Sequence, residues 1–384
     1  MIVRTGRVPL AWRGITHEKK KFILSVAGIT FATALMFMQL GFLNAVFDSQ
    51  AILLRRLNAD LILTNRSKHN MSAFEPIART RLVQASAMDG VAAVYPLYIQ
   101  TGDWRNSDTG ELHGLRVLGV SPDDPVLTGI LPDARLRQAD NVLFDRRSKD
   151  GYGPRREGLR TELAGHQVQI AGLVELGTDF DFSGTVITSE ANFLRIFADE
   201  QTTNPDIGRV ELGLVRVSAG HDKKSVQAAL QRALQVDVKV WTKEELIAHE
   251  IYFWRVFTPI GFIFETGLVI GFITGVMICT QILFTSVVDR MPLFGTLKAI
   301  GYTNGYLIRL VLREALLLAV IGFIPGVLIA VVLYNQLESI IGFDMVLNLQ
   351  RIVLVFTFTA GMSLMAAMLA IRKATTADPA EVFK

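Results

Sequence analysis

Four long apolar runs constrain the fold of this chain more than any other feature of its sequence. They lie at residues 22–47, 257–288, 315–333 and 352–370. A bilayer core about 30 Å thick is crossed by about 20 helical residues, because each residue of a helix rises about 1.5 Å. Each run is therefore long enough to span a membrane. Since 50% of the residues are hydrophobic, which is high for a soluble domain, the sequence predicts a membrane protein with four transmembrane helices.

The distances between these runs predict one span, then a large domain, then three further spans. Residues 48–256 separate the first two runs and are numerous enough to form a hydrophobic core of their own. They combine segments of alternating polarity, such as RVELGLVRV at 209–217, with amphipathic segments, such as 221–234. Thr242, followed three residues later by Glu245, is typical of a capping box that opens a helix. We therefore predict an α+β domain that is joined to the spans by stalk helices.

The basic residues predict an orientation in the membrane. Lys and Arg cluster in residues 1–21, 289–314 and 371–384, whereas the connection 334–351 contains only Arg351. Because cytoplasmic connections carry an excess of Lys and Arg, we expect both termini and the 289–314 segment to be cytoplasmic. The α+β domain and the short 334–351 loop are then extracytoplasmic, or periplasmic. The expected location is the cytoplasmic (inner) membrane, in a multi-pass arrangement.

The sequence lacks the motifs of several functional classes. No GxxxxGK[ST] motif occurs, so we expect no ATP binding through a Walker A loop, and any nucleotide-driven work must come from a partner. The histidines show no HxxxH or CxxC pattern, and no GxSxG motif is present, so we predict neither a metal site nor a catalytic residue. The net charge of +3 reflects basic residues at the predicted cytoplasmic face and does not favour nucleic-acid binding.

Small and charged residues inside the spans are candidates for packing and for transport. Five glycines recur at four-residue spacing within two of the spans: Gly267, Gly271, Gly275, Gly322 and Gly326. Small residues on one helical face let helices approach closely in lipid, either within one chain or at a dimer seam. The only acid within a predicted span, Glu265, is a candidate intramembrane polar site. The alternative is that its helix begins outside the lipid, which would leave this carboxylate at the outer interface.

The segment between the second and third spans is too polar to cross the membrane itself. It reads VDRMPLFGTLKAIG at 288–301, without a continuous apolar run. Phe294, Leu297 and Gly301 fall near one face of a helix, which suits docking into a groove on a partner. Pro292 is favourable in the first turn of such a helix. A helix lying in the lipid interface is the alternative.

Several stretches carry a resemblance to a known family. They are LFGTLKAIGYTNGYLIRLVLREALLLAVIGFIPG at 293–326 and ADPAEVFK at 377–384. With one span, a large domain and three further spans, the chain resembles the MacB/FtsX-like permeases of ABC transporters. The opening RTGRVPLAWRGITHEKKKFILSVAGITFATALMFMQLGF and the stretch VRVSAGHDKKSVQAALQRAL resemble the DevC-type branch more specifically.

The resemblance implies a coupling helix that docks on a separate ABC ATPase subunit, which binds the ATP and Mg. The candidate coupling residues are Arg290, Met291, Pro292, Phe294, Leu297, Lys298, Ile300 and Gly301. Many relatives have an Arg-Glu pair before this helix, whereas here Met291 and Pro292 follow Arg290. The resemblance further implies a homodimer, a membrane-fusion adaptor and an outer-membrane channel.

The function implied is that of a permease subunit, itself not catalytic, which converts ATPase motion into movement of its periplasmic domain. It would thereby export a lipid or another amphiphile, such as a glycolipid. One alternative is an FtsX-like subunit that uses mechanotransmission to regulate an extracytoplasmic enzyme without transport. A third interpretation is an anchored enzyme whose active site lies within residues 48–256.

Overall fold

The computed structural model describes the following residues: 19–130, 132–197, 208–234, 237–341, 345 and 347–376. The predicted terminal segments before residue 19 and after residue 376 lie outside the described residues, and so do the side chains of Leu297 and Lys298. The chain forms two compact units. We call residues 45–259 the inserted domain, and we call the remaining described helices the helical unit.

Helices and strands alternate in the inserted domain, whereas the helical unit contains helices alone among its described residues. The helices are α1 (Lys19–Gln50), α2 (Ile52–Arg56), α3 (Arg79–Ser86), α4 (Glu190–Ile196), α5 (Lys223–Ala233), α6 (Lys243–Val256), α7 (Pro259–Asp289), α8 (Met291–Ala299), α9 (Asn304–Ile341) and α10 (Leu349–Thr376). The strands are β1 (Leu61–Asn65), β2 (Ile77–Ala78), β3 (Val91–Arg105), β4 (Leu112–Val120), β5 (Asn141–Asp145), β6 (Arg160–Leu163), β7 (His166–Val174), β8 (Thr185–Ser189), β9 (Arg209–Val210), β10 (Leu212–Val217) and β11 (Val238–Thr242).

The four apolar runs all lie in long helices. By length and composition α1, α7, α9 and α10 can each cross a membrane. The predicted fold class, four spans in a 1 + 3 arrangement around a large α+β domain, is confirmed. Helix α9 extends beyond its apolar run at both ends, beginning at Asn304 rather than near Ala315, because a helix needs no apolar surface where it leaves the lipid.

The inserted domain is built on a nine-stranded sheet with the order β11-β1-β10-β3-β4-β8-β5-β7-β6. Its pairs are antiparallel except β4 with β8 and β5 with β7, which run parallel. Strand β3 connects two halves of this sheet. Its first part, to Leu97, pairs with β10, and its second part, from Tyr98, pairs with β4.

Both faces of the sheet are covered by apolar side chains. Successive side chains of a strand point to opposite faces, and Leu61 and Leu63 of β1 pack in one buried cluster while Ile62 packs in another. The first cluster includes Trp104 and Phe144, whose ring centroids lie 4.9 Å apart. Burial on both faces gives the domain a hydrophobic core of its own, as its length predicted.

Helix starts in this domain follow the signals in the sequence. The Thr242 side chain accepts a hydrogen bond from the Glu245 backbone N–H, and the Glu245 side chain accepts one from the Thr242 N–H. This reciprocal arrangement is the predicted capping box. Ser189 likewise accepts a hydrogen bond from the Asn192 N–H at the start of α4.

Candidate coupling site in the helical unit

The short helix α8 follows α7 after a single intervening residue, Arg290. The Phe294 N–H donates to the Arg290 carbonyl at 3.0 Å, so Arg290 caps the new helix. Pro292 lies in the first turn, where its missing N–H costs no hydrogen bond. Gly301, with φ +105°, adopts the left-handed conformation that favours glycine just beyond a helix. The segment is therefore helical, but it ends at Ala299 rather than at Gly301.

The two sides of α8 differ in exposure. Met291 and Phe294 pack against the buried cluster of the helical unit, whereas Leu293 is 53% exposed. Ile300, just after the helix and 70% exposed, falls seven residues from Leu293 and thus on the same side. The interpretation that Phe294 belongs to a docking face is wrong, because its ring is used inside the unit. The exposed side carries Leu293 and Ile300 instead.

An ion pair holds the start of α8 to α9. Arg290 Nη1 donates to Glu314 Oε2 at 2.9 Å, and Ser286 Oγ of α7 donates to Glu314 Oε1 at 3.5 Å. The Glu314 side chain is only 6% exposed. The carboxylate therefore links the end of α7, the start of α8 and the body of α9.

Sequence reasoning did not identify Glu314 as a site residue. It lies immediately before the apolar run that predicted the third span, and its partner is 24 residues away. One signal was available, namely an acidic residue in helical register with that run, on a segment otherwise rich in Arg.

The five spaced glycines lie against other helices of the same chain. A Cβ atom at Gly322 would lie 2.7 Å from Ile29 Cγ2, and one at Gly326 would lie 2.8 Å from Thr33 Cγ2, closer than real Cβ contacts allow. In α7, the atoms nearest to such a Cβ belong to Gln39 at Gly267, to Met36 at Gly271, and to Met362 and Ala32 at Gly275. These glycines thus let α7 and α9 approach α1 closely. The alternative of packing within the chain accounts for their positions, and a dimer seam stays a prediction.

Hydrogen bonds accompany this close packing. Thr30 Oγ1 donates to the Gly322 carbonyl at 3.0 Å, and the hydroxyls of Thr33 and Thr359 lie 3.3 Å apart. The Tyr334 hydroxyl donates to the carbonyl of Phe37. Such bonds between helices satisfy polar groups away from water. They make α1, the most buried of the four spans, the centre of the unit.

Glu265 lies in the second turn of α7 and is exposed. It takes no part in the buried contacts around α1, and its role as a polar site inside the membrane stays a prediction. The residues that the structure describes contain no group of three or more His, Cys, Asp or Glu side chains that could hold a metal ion.

Comparison with known proteins identifies the family of the membrane segment. Residues 265–379 match the FtsX-like permease C-terminal family. No curated protein is similar to this chain at a significant level. Two solved structures resemble it at low identity. The periplasmic region of MacB from Actinobacillus actinomycetemcomitans is 13% identical, with 51% of this chain and 95% of that one covered and a TM-score of 0.35. The extracellular domain of the noncanonic ABC-type transporter YknZ from Gram-positive bacteria is 11% identical, with coverages of 48% and 99% and a TM-score of 0.34. The predicted resemblance to the MacB/FtsX-like permeases is confirmed, whereas the DevC-type branch stays a prediction.

Proposed function

We propose that this FtsX-like permease is the transmembrane subunit of an ABC exporter that moves a lipid or another amphiphile by means of a separate ATPase. The observation that carries this proposal is the geometry of α8. A helix of nine residues is fixed on one side to the helical unit, and its other side exposes Leu293 and Ile300. Such a helix suits docking into a groove on a partner.

The contacts around Arg290 suggest how motion of the ATPase reaches the spans. A force applied to α8 acts on Arg290, and through Glu314 and Ser286 it acts on α9 and α7 together. Helix α1 packs against both of these helices and continues without interruption to Gln50. A shift of the helical unit would therefore be passed along α1 into the chain of the inserted domain.

The remaining parts of the assembly belong to the same proposal. Both termini and α8 face the cytoplasm, and the inserted domain is periplasmic. The ATPase subunit binds ATP and Mg, while this chain itself has no catalytic role. Two copies of the chain form a homodimer that works with a membrane-fusion adaptor and an outer-membrane channel. The basic residues of the 289–314 segment support this orientation.

The docking proposal is tested by Leu293→Asp in the full chain, co-expressed with the ABC ATPase encoded beside it. A carboxylate on the exposed side of α8 would have to be buried at the interface, so we expect the ATPase to be lost on co-purification. The matched control is Val83→Asp, at a residue of α3 that is 66% exposed. This control should retain the ATPase at the wild-type yield. Retention with Leu293→Asp as well would overturn the proposal.

Export and regulation are distinguished by a different readout. Deletion of an exporter leaves its lipid in the cytoplasmic membrane, which lipid analysis of separated membranes detects. If deletion moves no lipid but a periplasmic hydrolase loses activity, the chain is a regulatory subunit and the export proposal is wrong.

A further inference from the structure

A groove of about 300 Å³ opens on the inserted domain where β3 passes from one half of the sheet to the other. Phe74 and Arg209 line it on the side of β10, and Phe193 and Phe197 line it on the side of β4. The two halves of the domain thus each supply one wall. The volume falls at the lower end of the range of small-molecule sites, and it has room for about ten groups the size of a water molecule or a methylene.

The walls of the groove are mainly aromatic and aliphatic. Phe193 and Phe197 of the α4 region lie with their ring centroids 4.8 Å apart, and the Phe193 ring lies 5.4 Å from that of Tyr98. Phe74 leaves 41% of its surface exposed, and Leu194 adds an aliphatic side chain to the lining. A continuous apolar lining of this kind lowers the free energy of a bound hydrocarbon chain, because it removes that chain from water.

A buried polar network fixes the side of the groove at Tyr98. The Tyr98 hydroxyl donates to Glu190 Oε1 at 2.8 Å and accepts from Arg79 Nη1 at 3.1 Å, while Arg79 also pairs with Glu190. Burial and the Glu190 carboxylate raise the pKa of the Tyr98 hydroxyl, so it stays protonated. The ring is therefore held in place before any ligand arrives, which lowers the entropic cost of binding.

The charges at the groove favour an anion. Glu211, which also lines it, is occupied by an ion pair with Lys68 and by the Glu75 N–H at 3.2 Å. Arg209 is exposed, and its Nη2 donates to the Pro76 carbonyl at 3.4 Å. A guanidinium has five N–H donors, so this contact leaves donors of Arg209 to bind a carboxylate or a phosphate.

We propose that this groove binds the hydrocarbon chain of an anionic amphiphile, with the anionic headgroup at Arg209. This inference deepens the proposed export function by giving its cargo a charge and a binding site. It rests on that function for the identity of the natural ligand, but not for the binding itself.

The test uses the full chain in nanodiscs of phosphatidylcholine. The probes are a long-chain fatty acid with a photoactivatable diazirine on its chain and the matching fatty alcohol, and mass spectrometry locates the labelled peptides. We expect the acid to label the peptides of Phe74 and Phe193, and the alcohol to label them about tenfold less, because it lacks the charged contact with Arg209. Arg209→Gln should abolish this difference. Leu194→Trp, which fills the groove, should abolish labelling of these peptides by both probes.

The matched control is Val83→Trp, which adds the same side chain at an exposed site of the same domain and should leave labelling unchanged. Labelling that survives Leu194→Trp, or equal labelling by acid and alcohol in the wild type, would overturn the inference. Labelling confined to other parts of the inserted domain would also overturn it and would leave the groove to a protein partner. Because the groove variants should retain the ATPase on co-purification, failure of this inference is distinguishable from failure of the docking proposal.

Discussion

At the scale of single residues, the contact between Arg290 and Glu314 connects the candidate coupling helix to the spans. The carboxylate is almost fully buried, whereas the Arg290 side chain is 24% exposed. The two partners are therefore not equivalent. Removal of Arg290 leaves a buried negative charge with Ser286 as its remaining partner among the described residues, whereas removal of both charges leaves an apolar contact.

This asymmetry predicts the order of stability in a set of variants. Arg290→Met should lower the free energy of unfolding of the helical unit by about 2 to 3 kcal/mol, because a buried charge loses its partner. The double variant Arg290→Met, Glu314→Met should recover part of that loss. Thermal unfolding of the full chain in detergent, followed by circular dichroism, measures both. Arg309→Met, at an exposed residue of α9, is the control and should have little effect. A double variant as unstable as Arg290→Met alone would contradict this account of the pair.

At the scale of helices, the close approach of α9 to α1 depends on the absence of a side chain at Gly322. Gly322→Val should lower the free energy of unfolding by about 1 to 3 kcal/mol, because the new side chain overlaps Ile29. Gly361→Val in α10 is the matched control, since a Cβ atom there would contact nothing within 4 Å. Thermal unfolding at several protein concentrations measures the loss, which should not depend on concentration. Equal effects of both variants, or a loss that grows on dilution, would contradict packing within the chain and favour the dimer seam.

Local signals in the sequence predicted the helices better than their contacts. The spans were predictable because lipid requires long apolar runs, and the start of α6 was predictable because Thr242 and Glu245 cap it by themselves. The inward side of α8 was not predictable. Phe294 and Leu293 are both apolar, and only the packing of the neighbouring helices determines which of them is buried.

The candidate sites differ in the same way. The position of the coupling segment was predictable from its polarity and its neighbours along the chain. Glu314 and the groove were not, because their contacts join residues that are distant in sequence. The groove combines residues near Phe74, Tyr98, Phe193 and Arg209, and no local pattern links these four segments.

At the scale of the whole molecule, the account assigns two tasks to two units. The helical unit receives motion at α8, and the inserted domain offers a groove for an amphiphile. The continuous helix α1, from Lys19 to Gln50, is common to both. This division predicts that variants of α8 impair ATPase docking without altering the groove, and that groove variants do the reverse.

Direct contact between α8 and the ATPase is the central claim, and cysteine cross-linking tests it most directly. The only cysteine of the chain, Cys279, is buried, so a Cys279→Ser chain is a suitable background. In that background we compare Leu293→Cys with Phe294→Cys, neighbouring residues on opposite sides of the helix, using a short bifunctional thiol–amine reagent and the co-expressed ATPase. The account predicts an adduct with the ATPase for Leu293→Cys and little or none for Phe294→Cys. No adduct with Leu293→Cys, or an adduct with Phe294→Cys alone, would contradict it.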